Sequence, residues 1–332
     1  MKVTVIGSGS WGTALALKAL AGGNDTTLYC RRPEAAHTMA QNRENKDYLP
    51  GVSLPEDLRI VSNLELALKE AKVVLLVTPS TYVRQTVQSI RPYLEEGTIL
   101  VLCSKGIEGS SAKLLTDVVR EETTGLGIYV AALSGPNHAE EISRNLPAAS
   151  VVAADSMDIA QAVCHTLASP SFRLYASDDV KGVELAAATK NIIALAGGIL
   201  DGLSLGDNAK ATLLTRGLHE MTRFGLAQGA KRETYAGLAG MGDLIATCNS
   251  RHSRNRNAGQ ALAEGQTMAD ILAGTNMVVE GFNAVSIVHT IASQKGIDMP
   301  ITRALYQVLY EGLTPREGLE ELMTREIKVE SH

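Results

Sequence analysis

A chain of 332 residues is long enough for two domains with substantial cores, and 45% of it is apolar. Its 31 Lys and Arg against 36 Asp and Glu leave a net charge of −5, so no basic excess marks nucleic acid or an anionic membrane as a partner. Four widely separated cysteines, Cys30, Cys103, Cys164 and Cys248, include no C-x-x-C pair, and neither a metal site nor a disulfide framework is expected.

The first element is a strand, Val3-Thr4-Val5-Ile6, which runs into Gly7-Ser8-Gly9-Ser10-Trp11-Gly12 and then into the helix-forming run Thr13 to Leu20. Strand, G-x-G-x-x-G turn and helix stand in the order that dinucleotide binding requires. Gly7 allows the tight turn, Gly9 lets the backbone approach a pyrophosphate and Gly12 lets helix pack on strand. The free N–H groups and dipole of the helix start attract the phosphates. A strand so close to Met1 leaves no room for a signal peptide, and no apolar run reaches the roughly 18 residues of a spanning helix; a soluble, cytoplasmic protein without membrane insertion is expected.

Thr26 to Cys30 reads as the second strand. An acidic residue about 20 positions past the glycines would bond the ribose hydroxyls of NAD, but Arg31-Arg32 stands there instead. Two guanidinium groups favour a 2′-phosphate, which predicts NADP(H) as cofactor with NAD(H) tolerated; the alternative is a solvated pair opening the helix at Pro33.

Short apolar runs suited to buried parallel strands follow at Arg59 to Val61, Val73 to Thr78, Thr98 to Leu102 and Tyr129 to Leu133. Ser150 to Ala153 and Phe172 to Tyr175 complete the β signals. From about Asp178 the pattern is helical: Val180–Leu200, Ala209–Ala227, Gly242–Cys248, Ala258–Ala263, Glu280–Gln294, Ile301–Tyr310 and Pro315–Thr324. The fold class is therefore α/β: an N-terminal Rossmann-type, mostly parallel sheet with helices on both faces, then an all-α domain. The boundary falls near residue 178, giving a dinucleotide-binding domain over 1–178 and a helical substrate-binding domain over 179–332. Substrate is expected in a crevice at the carboxyl ends of the strands.

Chemistry is carried by a few polar residues in apolar surroundings. Lys190 interrupts a helix that is apolar on most faces, and its neighbours three and four residues away are Ala187, Ala186, Ile193 and Ala194. An ammonium so placed suits a general acid or base, with Asp243 as a distant partner. Ser104-Lys105-Gly106 and Ser134-Gly135-Pro136-Asn137-His138-Ala139 follow strands, and each reads either as a ligand loop or as ordinary turn chemistry. Thr78-Pro79-Ser80 ends another strand. Ser250 to Asn257 concentrates Arg251, Arg254 and Arg256, a phosphate-binding cluster or a solvated charge run. Asn276 to Gly281 places Glu280 before a helix.

Gly-Ser-Gly-Ser-Trp-Gly, Ser-Lys-Gly, Ser-Gly-Pro, Thr-Lys-Asn, Gly-Met-Gly-Asp-Leu, Ser-Arg-Asn and Val-Glu-Gly, in this order, closely resemble the bacterial NAD(P)-dependent glycerol-3-phosphate dehydrogenases over nearly the whole chain. The resemblance implies reversible reduction of dihydroxyacetone phosphate to sn-glycerol 3-phosphate, supplying glycerophospholipid synthesis; the apolar helical second half makes a homodimer the expected assembly, and no metal is expected. It implies cofactor contacts at Ser10, Trp11, Arg31, Lys105, Ala139, Arg254, Val278 and Glu280, beside the turn Gly7, Gly9 and Gly12 and the second guanidinium, Arg32. It implies substrate contacts at Lys105, Gly135, Asn137, Lys190, Asp243, Ser253, Arg254 and Asn255, with Lys190 as proton donor or acceptor. Where the family commonly has Ser or Thr, this chain has Asn137.

Overall fold

The computed structural model describes residues 1–275 and 278–326. They form two compact units, one of residues 1–187 with 229–243, the other of the remaining described residues.

The first unit is built on an eight-stranded sheet in the order β3-β2-β1-β4-β5-β6-β7-β8. The strands are β1 (Lys2–Ile6), β2 (Asp25–Tyr29), β3 (Arg59–Val61), β4 (Val73–Leu76), β5 (Ile99–Leu102), β6 (Tyr129–Ser134), β7 (Ala148–Ala154) and β8 (Phe172–Ser177). All neighbours are parallel except β6 and β7. Alternation along the central strands serves two helical layers. Val73, Leu75 and Val101 point into a core with the helix Ser10–Ala21, while Val74, Leu76, Leu100 and Leu102 join Val83, Val87, Leu115 and Val119 on the other face. With both faces covered, these strands read as unbroken apolar runs, which is why each was visible in the sequence. Strand order reverses between the parallel neighbours β1 and β4, and loops at the carboxyl ends of those two strands are where a doubly wound sheet binds ligands.

Buried carboxylates fasten this unit. Glu184, 5% exposed, accepts from the Thr116 N–H at 3.0 Å and from the Thr116 hydroxyl, capping the helix Leu115–Glu122. Burial pushes its carboxyl up to about 7, against those hydrogen bonds. Asp179 accepts from the N–H groups of Gly182 and Lys231 and from the Thr234 hydroxyl, fastening residues 229–243 to the sheet.

Helices carry the second unit: Gly206–Ala227, Arg254–Ala263, Met268–Ala273, Glu280–Lys295, Pro300–Tyr310 and Pro315–Met323. Met268–Ala273 and, in the first unit, Arg232–Ala236 were not foreseen, since five or six residues show no periodicity. Glu220 plays the part of Glu184 here, receiving the Ile301 and Thr302 N–H groups at 2.8 Å and so capping Pro300–Tyr310. The helix Val180–Gly202 begins in the first unit and ends in the second. Contrary to the expectation that no such run exists, it is long and apolar enough to cross a membrane, yet its apolar window lies wholly buried inside the protein. Its carboxyl half meets Arg254–Ala263 backbone to backbone: a methyl group on Gly198 would lie 1.8 Å from the Arg256 carbonyl oxygen, and one on Gly259 2.0 Å from that of Leu195.

Candidate active site

In the α/β unit the glycine turn takes the form its spacing implies. Gly7 adopts φ +118, and a side chain there would run into the Val77 carbonyl, so the turn after β1 lies against the turn after β4. A methyl on Gly12 would stand 1.8 Å from the Gly7 carbonyl oxygen, whereas one on Gly9 would meet no heavy atom within 4 Å. Of the three turn glycines, only Gly9 has an open side. The helix Ser10–Ala21 has no side-chain cap and no acid in its first turn. Its leading amides, at Ser10, Trp11 and Gly12, precede the first intrahelical hydrogen bond, from the Thr13 N–H to the Gly9 carbonyl, and suit a pyrophosphate. The Trp11 indole nitrogen and the Thr78 hydroxyl are buried with no hydrogen-bond partner among the described residues, and Trp11 sets its ring edge-to-face on Phe172. This cradle fits a nicotinamide dinucleotide. Arg31 and Arg32 follow β2 and are both exposed; Arg32 comes within 3.8 Å of Asp47.

Lys105 follows β5 and is enclosed by acceptors. Its ammonium donates to the Gly135 carbonyl at 3.1 Å, to Asn137 Oδ1 at 2.8 Å and to Asp243 Oδ2 at 2.9 Å. Gly135 holds φ +146, and a side chain there would strike Ser150. The turn after β6 is thus pressed onto β7, and Asn137 Nδ2 reaches Ser150 Oγ at 3.4 Å. Asp243, almost fully buried, follows a π-helical turn over Leu238–Gly242 and opens the helix Asp243–Asn249. The structure therefore brings Lys105, Gly135, Asn137 and Asp243 together, with Ala139 buried at the start of the short helix that follows.

In the helical unit Lys190 is 4% exposed, and its ammonium donates to Thr247 Oγ1 at 2.6 Å. Sequence reading placed no partner so near, because 57 residues separate the two. Thr247 lies four residues beyond Asp243 on one helix, a spacing that could have drawn attention to it. Asn191, next to Lys190, accepts from Asn255 Nδ2 at 2.9 Å, while Asn255 Oδ1 receives the Gly281 N–H at 2.9 Å. Ser253 caps Arg254–Ala263 by accepting from Arg256 N at 3.2 Å, and Arg254 Nη1 donates to the Val278 carbonyl at 2.9 Å. Ser253, Arg254, Asn255, Val278 and Glu280 thereby converge around the start of the helix Glu280–Lys295. The basic run does not act as one cluster, since Arg256 turns away to Asp201 at 2.6 Å and Lys210 binds the same carboxylate at 2.7 Å. Asn276 and Met277 lie outside the described residues.

Burial raises the thiols of Cys103 and Cys164, the latter to about 11, and all four cysteines are unpaired by disulfide. Among the described residues no group of three or more His, Cys, Asp or Glu is arranged to hold a metal.

Residues 2–160 match the family model for the NAD-dependent glycerol-3-phosphate dehydrogenase N-terminus, and residues 179–320 match that for its C-terminus. The chain is 47% identical over 324 residues to a glycerol-3-phosphate dehydrogenase [NAD(P)+] of Desulfitobacterium hafniense, covering 98% of this chain and 91% of the relative. It is 46% identical over 323 residues to the enzyme of the same name from Moorella thermoacetica, covering 97% and 96%. The crystal structure of glycerol-3-phosphate dehydrogenase from Coxiella burnetii superposes with a TM-score of 0.92 at 37% identity, covering 98% of this chain and 99% of that one. Glycine cradle, lysine-centred polar sets and full-length similarity lead to one conclusion: the chain belongs to the NAD-dependent glycerol-3-phosphate dehydrogenase family, and its activity is that of a glycerol-3-phosphate dehydrogenase [NAD(P)+].

Proposed function

We propose that the chain works chiefly as a reductase, converting dihydroxyacetone phosphate to sn-glycerol 3-phosphate with NADPH preferred and NADH tolerated, and that it does so as a cytoplasmic homodimer supplying glycerophospholipid synthesis. Residues 1–178 carry the cofactor and residues 179–332 most of the substrate machinery. The observation that carries this reading is the burial of the Lys190 ammonium, 4% exposed, with Nζ donating to Thr247 Oγ1 at 2.6 Å.

When bound, the nicotinamide cofactor supplies a hydride to the C2 carbonyl carbon. Ser10, Trp11 and Gly12 offer amides to its pyrophosphate, with Gly7 and Gly9 shaping the turn. Arg31 and Arg32 recognise a 2′-phosphate by charge-assisted hydrogen bonds, and Ala139, Arg254, Val278 and Glu280 complete the cofactor's surroundings. Lys190 gives its proton to the C2 oxygen as negative charge develops there, and takes it back in the reverse direction. Lys105 steadies negative charge on the substrate, exchanging one of its present acceptors, Gly135, Asn137 or Asp243, for a substrate oxygen. Ser253, Arg254 and Asn255 anchor the phosphate end of the substrate.

Oxidation of NADPH followed at 340 nm with dihydroxyacetone phosphate, and with a panel of keto acids, tests the substrate; turnover of keto acids in preference to the triose phosphate would reject it. Replacing Arg31 and Arg32 together by Ala should raise KM for NADPH much more than KM for NADH. A wild type that favours NADH, with a ratio unmoved by the double replacement, would reject the cofactor preference.

A further inference from the structure

Asn45 stands apart from every residue assigned so far, 37 positions from the glycine turn, and is buried. Its side-chain Nδ2 donates to the Ser8 carbonyl at 2.8 Å and to Thr13 Oγ1 at 2.7 Å, so one amide grips both ends of the segment from the turn to the first turn of the helix. Ser8 and Gly9 share a planar trans peptide, in which N–H points opposite to C=O. With the Ser8 carbonyl drawn to Asn45, the Gly9 N–H is aimed the other way. The side on which Gly9 would carry a side chain is open, with no heavy atom within 4 Å.

Asn45 is itself held rigidly. Arg43 ends the helix Pro33–Asn42 in a left-handed conformation and ties its guanidinium to Glu56 and to the Leu58 carbonyl. The Asn45 carbonyl receives the Leu49 N–H at 2.7 Å, and Leu49, Val52 and Leu54 are sunk in the core of the sheet. A side chain with so fixed a base holds its partner in one orientation before any ligand arrives.

We infer that Asn45 is a positioning residue for the cofactor: it fixes the Ser8–Gly9 peptide so that the Gly9 N–H meets the pyrophosphate. The inference rests on the reading of this turn as the pyrophosphate cradle. Because the pyrophosphate is common to both cofactors, Asn45 acts on NADPH and NADH alike, unlike Arg31 and Arg32.

The test is fluorescence titration of the full-length protein with NADPH and with NADH, together with kcat, KM for dihydroxyacetone phosphate and Tm. Asn45→Ala should raise both cofactor Kd values about tenfold, with kcat at saturating cofactor and KM for the triose phosphate within about twofold of wild type. Thr13→Val removes the second acceptor but leaves the Ser8 bond, and should lower Tm while leaving both Kd values near wild type. Gly9→Val fills the open side and should abolish cofactor binding whatever Asn45 does. A lower Tm with unchanged Kd in Asn45→Ala, while Gly9→Val fails to bind, would overturn the inference and leave the cradle standing. Unchanged Kd in Gly9→Val would remove the cradle and the inference with it. A tenfold weaker Kd in Thr13→Val would shift the effect from the Ser8 peptide to the helix, and overturn the route proposed.

Discussion

The α/β unit and the helical unit place their polar groups by different means. In the first, loops after β1, β4, β5 and β6 present backbone and short side chains, and glycines decide where the chain is open or closed. In the second, side chains stand on helix faces, and the helices are set by close backbone packing at Gly198 and Gly259 and by the Glu220 cap. A loop site is therefore a local statement in the sequence. A helix-face site depends on which helices meet.

The largest effect that could break this comparison is expected at Lys190. Lys190→Ala should lower kcat by about 10²- to 10⁴-fold while the Kd for NADPH stays near wild type, if the helical unit supplies the proton and the α/β unit holds the cofactor. Steady-state kinetics with a parallel fluorescence titration separate the two, and wild-type turnover would move the proton transfer elsewhere.

Glycine replacements sharpen the contrast further. Gly259→Val pushes a side chain into the Leu195 carbonyl and should cost about 1–3 kcal/mol of stability, read from urea unfolding. Gly9→Val should leave the urea midpoint near wild type, because a Cβ at that position meets no heavy atom within 4 Å. Equal midpoints for both variants would dissolve the distinction between a glycine kept for packing and one kept for a ligand.

A subtler difference concerns the two capping carboxylates. Burial raises Glu184 to about 7, above an unfolded value near 4.5, so the folded protein binds its proton more tightly and this group's contribution to stability declines as pH rises from about 4.5 to 7. Glu184→Gln should flatten that segment of the Tm–pH curve; an unaltered slope would assign the titration to another group. Smallest is the expected effect of Asp47→Asn. Freeing Arg32 from an exposed partner 3.8 Å away should improve KM for NADPH by less than about fivefold and leave KM for NADH alone.

The central strands β1, β4 and β5 were legible because parallel strands covered on both faces are nearly uninterrupted apolar runs bounded by turn residues. The glycine turn and the Lys105 and Gly135 loops were legible for the same reason, each being the few residues after a strand. Lys190 was visible as a charge whose neighbours three and four residues away are all apolar. Its hydrogen bond to Thr247 was not, nor was the hold of Asn45 on Ser8, because partners dozens of residues apart are joined only by tertiary packing. The Ser250–Asn257 run misleads in the opposite sense: adjacent in sequence, Arg254 and Arg256 leave their helix in different directions, one to Val278 and the other to Asp201.

Residues 229–243 belong to the α/β unit although they follow two long helices, and they give it both Ala239, packed with Ala132, Ala153, Val180 and Val183, and the Asp243 carboxylate that receives Lys105. An amino-terminal piece excised after Ala187 would thus be born with a bald, sticky patch and a lysine stripped of its counterion. Stitching that fifteen-residue strip back through a short tether is what an engineer seeking a soluble, stand-alone nucleotide-binding module would have to do.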